Sequence, residues 1–147
     1  MRFSLWTNNG ALNSKPIFNA FAHSCVQLGH DVVYNDPSAD VDVIWSILWH
    51  GRMAPNKEVW DKAQVNKKPV IVLEVGGLKR GTTWKVGLNG INRDAYFGGL
   101  HNNSSRADAL GLFLKPWRNN EYGPIAVSYT HLRAHETGRN LGSPGRV

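Results

Sequence analysis

The feature that most constrains the fold is a strand, a helix and a second strand within the first 34 residues. The β-prone run Arg2–Trp6 and an Asn- and Gly-rich turn precede apolar residues at helical spacing: Ile17, Phe18, Phe21, Cys25 and Leu28. Gly29 is typical of the position just after a helix end, and Val32–Tyr34 predicts the next strand. Because a crossover helix joins strands that run in the same direction, this pattern predicts a parallel sheet.

The same order of elements recurs further along the chain. Val41–Leu48 and Pro69–Val75 are apolar runs suited to central strands, and Lys57–Val65, capped by Asn56, predicts the helix between them. A further short helix is expected at Ser105–Leu112. These elements predict an α/β fold over residues 1–114, with an open, parallel, Rossmann-like sheet and flanking helices. Residues 115–126 are typical of a linker towards a second domain.

The carboxyl-terminal residues are predicted to be foreign to the fold. Val127–Thr137 (VSYTHLRAHET) looks like the translation of a transposase adapter used to prepare sequencing libraries. Residues 127–147 are therefore expected to be a non-native, disordered tail, and the native chain to continue beyond Ala126. This tail carries three arginines and one glutamate, so residues 1–126 hold +4 of the net charge of +6. A charge of +4 is ordinary for a cytosolic domain and is weak support for a nucleic-acid partner.

Several classes of protein and of site are not expected. No apolar run reaches the roughly 20 residues that a membrane-spanning helix needs, so no membrane partner is predicted. The single Cys25 excludes an internal disulfide and, within a helical pattern, is expected to be a buried structural thiol. No second histidine, cysteine or carboxylate lies at metal-ligand spacing near His50, so no metal site is predicted.

Candidate ligand-binding residues follow the first predicted strand. In open parallel sheets, ligands bind beyond the carboxyl ends of the strands. Asn8, Asn9, Gly10 and Lys15 stand there, before the amino terminus of a helix, which favours anions. The segment matches neither the G-x-G-x-x-G fingerprint nor the Walker pattern. A tight strand-to-helix turn with solvated amides is the alternative interpretation.

A second candidate pair follows the predicted strand Val41–Leu48. A histidine can donate or accept a hydrogen bond, and an arginine can bind a phosphate through two parallel hydrogen bonds, so His50 and Arg52 together suit an anion or a sugar hydroxyl. The alternative is that both side chains pack on the neighbouring tryptophans Trp45, Trp49 and Trp60.

The polar stretch after Pro69–Val75 holds the remaining candidates. Glu74 could act as a general base or accept a hydroxyl, and a structural ion pair with Arg80 or Arg52 is the alternative. Glycines, cations, hydroxyls and an indole ring then follow, and together they suit a diphosphate or polyanion: Gly76, Gly77, Lys79, Arg80, Thr82, Thr83 and Trp84. The segment from Thr82 to Phe97 also predicts a β-hairpin with a type I′ turn at Asn89–Gly90.

The segment FNAFAHSCVQLGHDVVYND resembles the amino-terminal half of GT-B glycosyltransferases, in which a helix ending in Gly-His leads into the second strand. LNSKP, VIWSILWHGRM and PVIVLEVGGLKRGTTWKVGLNGIN are similar to uncharacterised glycosyltransferase-like proteins of tailed bacteriophages, and this resemblance covers most of residues 1–117. It implies a two-domain enzyme in the cytoplasm of an infected host cell, with a nucleotide sugar as donor and a hydroxyl acceptor. The amino-terminal half would bind the acceptor and be inactive alone, without a cofactor of its own.

Two hypotheses therefore stand side by side. In the first, Glu74 or His50 is the base that activates the acceptor hydroxyl of a metal-independent transfer. In the second, the chain is a non-catalytic module that recognises nucleic acid or another partner through four cations: Lys79, Arg80, Lys85 and Arg93. A nucleotide-dependent enzyme of another class is a third hypothesis, because this fold hosts many chemistries.

Overall fold

A computed structural model describes residues 1–78, 80–92, 94–98 and 103–113. The chain divides into two compact units, residues 1–102 and 103–147, and each is described by itself. The predicted linker and tail, together with Lys79 and Arg93, lie outside the described residues.

The first unit is an α/β domain built on a five-stranded sheet. Its strands stand in the order β2-β1-β3-β4-β5, where β1 to β4 are parallel and β5 is antiparallel to β4. The strands are β1 (Arg2–Leu5), β2 (Asp31–Tyr34), β3 (Val41–Trp45), β4 (Val70–Val75) and β5 (Trp84–Leu88); the helices are α1 (Lys15–Gln27) and α2 (Asn56–Val65). The prediction of an open, parallel, Rossmann-like sheet with flanking helices is confirmed, and the antiparallel β5 is added at one edge.

The two helices cover opposite faces of the sheet. Alternate residues of a strand point to opposite faces. Val43 and Trp45 accordingly pack with Phe18 of α1, whereas Ile44 packs with Val59 of α2. From β1 the chain continues to β2 on one side of the sheet, and from β3 it continues to β4 on the other side. The carboxyl ends of β1 and β3 therefore form the topological switch point of the sheet.

Both helices end in the same hydrogen-bonded motif. After α1, the amides of Gly29 and His30 donate to the carbonyls of Val26 and Cys25, and Gly29 has φ +77°. This is a Schellman motif, and it confirms the position predicted for the glycine. After α2, Lys67 stands at the same position with φ +53°. A residue with a side chain therefore adopts a left-handed backbone conformation that favours glycine.

The connection from β2 to β3 is short and crosses β1 on the α2 face. Residues 35–40 make this crossover without a helix, although parallel strands are usually joined by a dozen residues or more. The amide of Asp36 donates to the hydroxyl of Ser4 (2.9 Å), and the Arg2 guanidinium binds the Asp36 carboxylate (2.8 Å). The loop is therefore held against β1 by these two contacts.

Two local predictions are wrong. Asn56 does not cap α2: the helix begins at Asn56 itself, whose side chain is buried. The two-residue turn at Asn89–Gly90 is also absent, because the backbone N–H and the side-chain oxygen of Asn89 are bound by Val70 of β4 (2.7 and 2.9 Å). Leu88 instead forms one antiparallel bridge with Tyr96.

In the second unit the described residues form one short helix, α3 (Ser105–Ala109). This confirms the helix expected in that region, although it ends three residues earlier than predicted. Throughout the described ranges, the helices are too short or too polar to span a membrane.

Candidate functional site

The candidate site is a cavity of about 470 Å³ at the carboxyl edge of the sheet, hereafter the edge cavity. Its lining comes from the turn after β1, the start of α1, the end of β2 and the turn after β3: Thr7, Gly10, Ala11, Leu12, Ser14, Lys15, Asn19, Tyr34 and Arg52. It lies beside the switch point, where ligands of such sheets are usually bound. Its volume is within the range of roughly 300–1,000 Å³ that is typical of small-molecule sites.

The turn after β1 shapes this cavity through close backbone packing. A single 3₁₀ turn, Thr7–Asn9, leads into Gly10, where a Cβ would overlap the Ser14 hydroxyl. That hydroxyl donates to the Ala11 carbonyl (2.7 Å), and the Ser14 carbonyl accepts the amide of Phe18 (3.0 Å) to begin α1. A side chain at position 10 would therefore displace the Ser14 hydroxyl from this hydrogen bond.

The electrostatics of the edge cavity favour an anion. Lys15 is the first residue of α1, and Arg52 reaches the cavity from the turn after β3; both side chains are exposed. Within the described ranges no carboxylate lies within 4.0 Å of either cation. The first turn of α1 also has no acidic residue, so the positive end of its helix dipole is not neutralised there.

The structure brings together three of the residues predicted from sequence, Gly10, Lys15 and Arg52, in this one cavity. The other two residues of the predicted turn lie elsewhere. The amide of Asn8 donates to the side chain of Asn35 (3.2 Å), and Asn9 lines a different cavity on the α2 face.

His50 is exposed and lies immediately before the turn that carries Arg52. The nearby tryptophans pack on other rings: Trp45 on Phe18, and Trp49 on Trp60 with centroids 5.9 Å apart. Among the described residues, no ring contact joins the exposed His50 to these indoles.

The candidates after β4 do not line the edge cavity. Glu74 is half-buried, and its Oε1 accepts the amide of the next residue, Val75 (2.7 Å). Neither Arg80 nor Arg52 forms an ion pair with Glu74, so the predicted ion pair is wrong. Lys85 of β5 lies directly opposite Glu74 of β4, and the side chain of Lys85 is half-buried.

The glycines and hydroxyls of this stretch close the β4–β5 hairpin. The amide of Gly76 donates to the carbonyl of Thr83 (2.8 Å), and a Cβ on Gly76 would overlap that backbone. Trp84 is half-buried and packs against the core on the α1 side. Gly77, Arg80 and Thr82 are exposed, whereas Lys79 lies outside the described residues.

Sequence reasoning missed the other residues of the edge cavity. Asn19 follows Lys15 by four positions and so shares its helix face, which is a signal that could have been used. Tyr34 ends β2, the neighbour of β1, and the same carboxyl-edge rule would have found it.

Among the described residues, no group of three or more histidines, cysteines, aspartates or glutamates is placed to hold a metal ion. The chain matches no model of a known protein family, and comparison with curated proteins finds no similar sequence. The functional interpretation therefore depends on the geometry of the cavity and on the resemblance noted from the sequence.

Proposed function

We propose that this chain is the acceptor-side half of a GT-B-like, nucleotide-sugar-dependent transferase, and that its edge cavity binds an anionic, hydroxylated ligand. The observation that carries the proposal is the meeting of Lys15, Arg52 and the amino terminus of α1 around one cavity at the switch point. Arg52 can bind two phosphate oxygens at once, and Lys15 adds a point charge beside them.

The neutral residues of the cavity suit the rest of such a ligand. Thr7, Asn19 and Tyr34 present a hydroxyl, an amide and a phenol, which can donate to and accept from sugar hydroxyls. The side-chain amide of Asn35 reaches Thr7 Oγ1 at 3.4 Å, so one neighbour already orients this hydroxyl. A sugar phosphate combines the anion and the hydroxyls that these groups recognise.

Of the two candidate bases, we choose His50 over Glu74, although neither residue lines the edge cavity itself. His50 is exposed and two residues before Arg52, whereas one oxygen of Glu74 is held by the Val75 amide. In the proposed transfer, the His50 imidazole accepts the proton of the acceptor hydroxyl. At the same time, the oxygen of that hydroxyl attacks the anomeric carbon of the donor sugar. The nucleoside diphosphate leaves with the bonding electrons, and the donor itself is held by a second domain.

The binding part of this proposal is tested by titrating the 147-residue chain with glucose 1-phosphate and with inorganic phosphate in a calorimeter. Replacing Arg52 by Ala is expected to weaken binding about tenfold or more, since hydrogen bonds to charged groups contribute about 1.5–3 kcal/mol. The matched control is Arg106→Ala, because Arg106 is exposed and lies in the other unit. Equal weakening in both variants would show only a non-specific effect of charge and would refute the site.

The transferase part is tested separately, with the chain joined to a donor-binding second domain. Hydrolysis or transfer of a nucleotide sugar is expected, and His50→Ala should lower kcat with the affinity for glucose 1-phosphate unchanged. Absence of turnover with every common nucleotide sugar would refute the transferase assignment without bearing on the binding site.

A further inference from the structure

A second cavity, of about 410 Å³, lies on the α2 face of the sheet; it is called the face cavity below. Trp6 lines it from just after β1, Asp42 from β3, Pro37 from the crossover, and Val59 and Ala63 from α2. It lies beside the crossover of residues 35–40, which contains no helix. Its apolar walls and small polar floor are typical of sites for small organic molecules.

The floor of the face cavity holds a buried carboxylate with one free oxygen. Asp42 is 4% exposed, and its Oδ1 accepts from the indole N–H of Trp6 (2.8 Å) and from Nζ of Lys68 (3.0 Å). Within the described ranges, no group donates a hydrogen bond to Oδ2. This oxygen is not fully sealed from solvent. Asp42 lines the face cavity, so a ligand bound there can lie next to this acceptor.

Holding a carboxylate in such a place is costly for a fold, because a charge removed from water needs paired and hydrogen-bonded neighbours. Lys68 supplies the opposite charge and also donates to the Pro37 carbonyl (3.2 Å), so it joins α2, the crossover and β3. Both hydrogen bonds that Asp42 accepts in this network end on Oδ1. Oδ2 takes no part in the network.

The charges around the face cavity define what can occupy it. Asp42 is balanced by Lys68, and at the rim Glu58 is balanced by Lys62 (2.6 Å), so the lining is neutral in sum. The walls are apolar, and the Trp6 indole offers an aromatic surface beside them. A neutral, flat ligand that presents an N–H to Oδ2 satisfies all of these groups.

We propose that the face cavity binds a neutral heteroaromatic molecule of the nucleobase or nucleoside class through a hydrogen bond from an N–H to Asp42 Oδ2. This site is separate from the edge cavity and does not depend on the transferase assignment. The 3₁₀ turn Thr7–Asn9 stands between the two, with Thr7 lining one cavity and Asn9 the other.

The test is a titration of the ¹⁵N-labelled chain, following the indole N–H resonance of Trp6, which a Trp6→Phe variant identifies. The probes are adenosine, guanosine, cytidine and uridine, together with benzimidazole and its 1-methyl derivative. Benzimidazole and at least one nucleoside are expected to shift the Trp6 resonance. The 1-methyl derivative, which has no N–H, is expected to bind about tenfold or more weakly.

Variants then locate the acceptor. Asp42→Asn should weaken benzimidazole at least tenfold, whereas Asp61→Asn, an exposed carboxylate of α2 outside the cavity, and Arg52→Ala in the edge cavity should leave it unchanged. If Asp42→Asn does not fold, the native chain still tests the proposal. Its affinities for benzimidazole and for the 1-methyl derivative show whether the N–H of the ligand is recognised. Equal binding of these two compounds, or no shift with any probe at millimolar concentration, overturns the proposal.

Discussion

Asn56 provides the sharpest test of how the carboxyl edge is held together. It is fully buried, and its side-chain nitrogen donates to the carbonyls of Trp45 (2.7 Å) and Asn9 (3.2 Å). One amide thus joins the end of β3, the turn after β1 and the start of α2. Its oxygen Oδ1 is buried and has no partner within the described ranges.

Two substitutions separate these contributions. Asn56→Ala removes the amide that donates to the buried carbonyl of Trp45 and to the part-buried carbonyl of Asn9, at about 1–3 kcal/mol each. It also removes the unpaired buried oxygen, whose loss returns a similar amount. The net loss of unfolding free energy is therefore about 2 kcal/mol. Asn56→Asp sets a carboxylate beside two carbonyl oxygens, and a buried charge without a partner costs about 3–5 kcal/mol.

The pH dependence of Asn56→Asp tests the geometry directly. Burial without a donor raises the pKa of the new carboxyl above its unfolded value of about 4. The protonated acid can donate one bond, so the variant is least destabilised below that value and loses stability as the pH rises through the folded pKa. Urea unfolding followed by tryptophan fluorescence at acidic and neutral pH measures this change.

The exposed Asn92→Asp variant is the matched control for this series and should unfold like the native chain at each pH. If Asn56→Asp were as stable as the native chain at neutral pH, or equally destabilised at every pH, the hydrogen bonds assigned to Asn56 would be wrong.

Three further predictions concern single positions. Gly29→Ala places a Cβ in a left-handed conformation and should cost about 1–2 kcal/mol, whereas Lys67→Gly should stabilise α2 by about 0.5–1 kcal/mol; urea unfolding that ranked the two variants the other way would contradict the helix-end geometry. Hydrogen bonds from Ser38 lower the pKa of Asp36, so its stabilisation is present above about pH 4 and lost as the pH falls; the stability gap between the native chain and Asp36→Asn should close in acid, and a constant gap in pH-dependent thermal unfolding would count against this. Burial raises the pKa of the Cys25 thiol, so a disulfide reagent at mildly alkaline pH should react slowly with the folded chain and rapidly in urea; fast reaction of the folded chain would show an accessible thiolate.

The fold was predictable where the pattern is local. The helical spacing from Ile17 to Cys25 and the glycine after it determine α1 and its end, and the apolar runs determine β3 and β4. The turn at Asn89–Gly90 was not predictable, because Asn89 is held by Val70, nineteen positions earlier. A strong local turn signal was overridden by a tertiary contact.

The edge cavity was partly predictable for a similar reason. A general rule about the carboxyl ends of parallel strands led to Gly10, Lys15 and Arg52 without any knowledge of their distances. The face cavity gave no local signal, since Trp6 and Asp42 are 36 positions apart and Lys68 is 26 further on. Its one indication was the connection over residues 35–40, which is too short to hold a helix.

The place of β1 in the sheet has a practical consequence for handling this protein. Chain termini usually tolerate trimming and fusion because few contacts hold them. Here the first strand pairs with β2 on one side and β3 on the other, and the Met1 carbonyl accepts the amide of Asp31. Trimming residues 1–5 would separate β2 from the rest of the sheet, so an amino-terminal tag needs a flexible spacer before Met1.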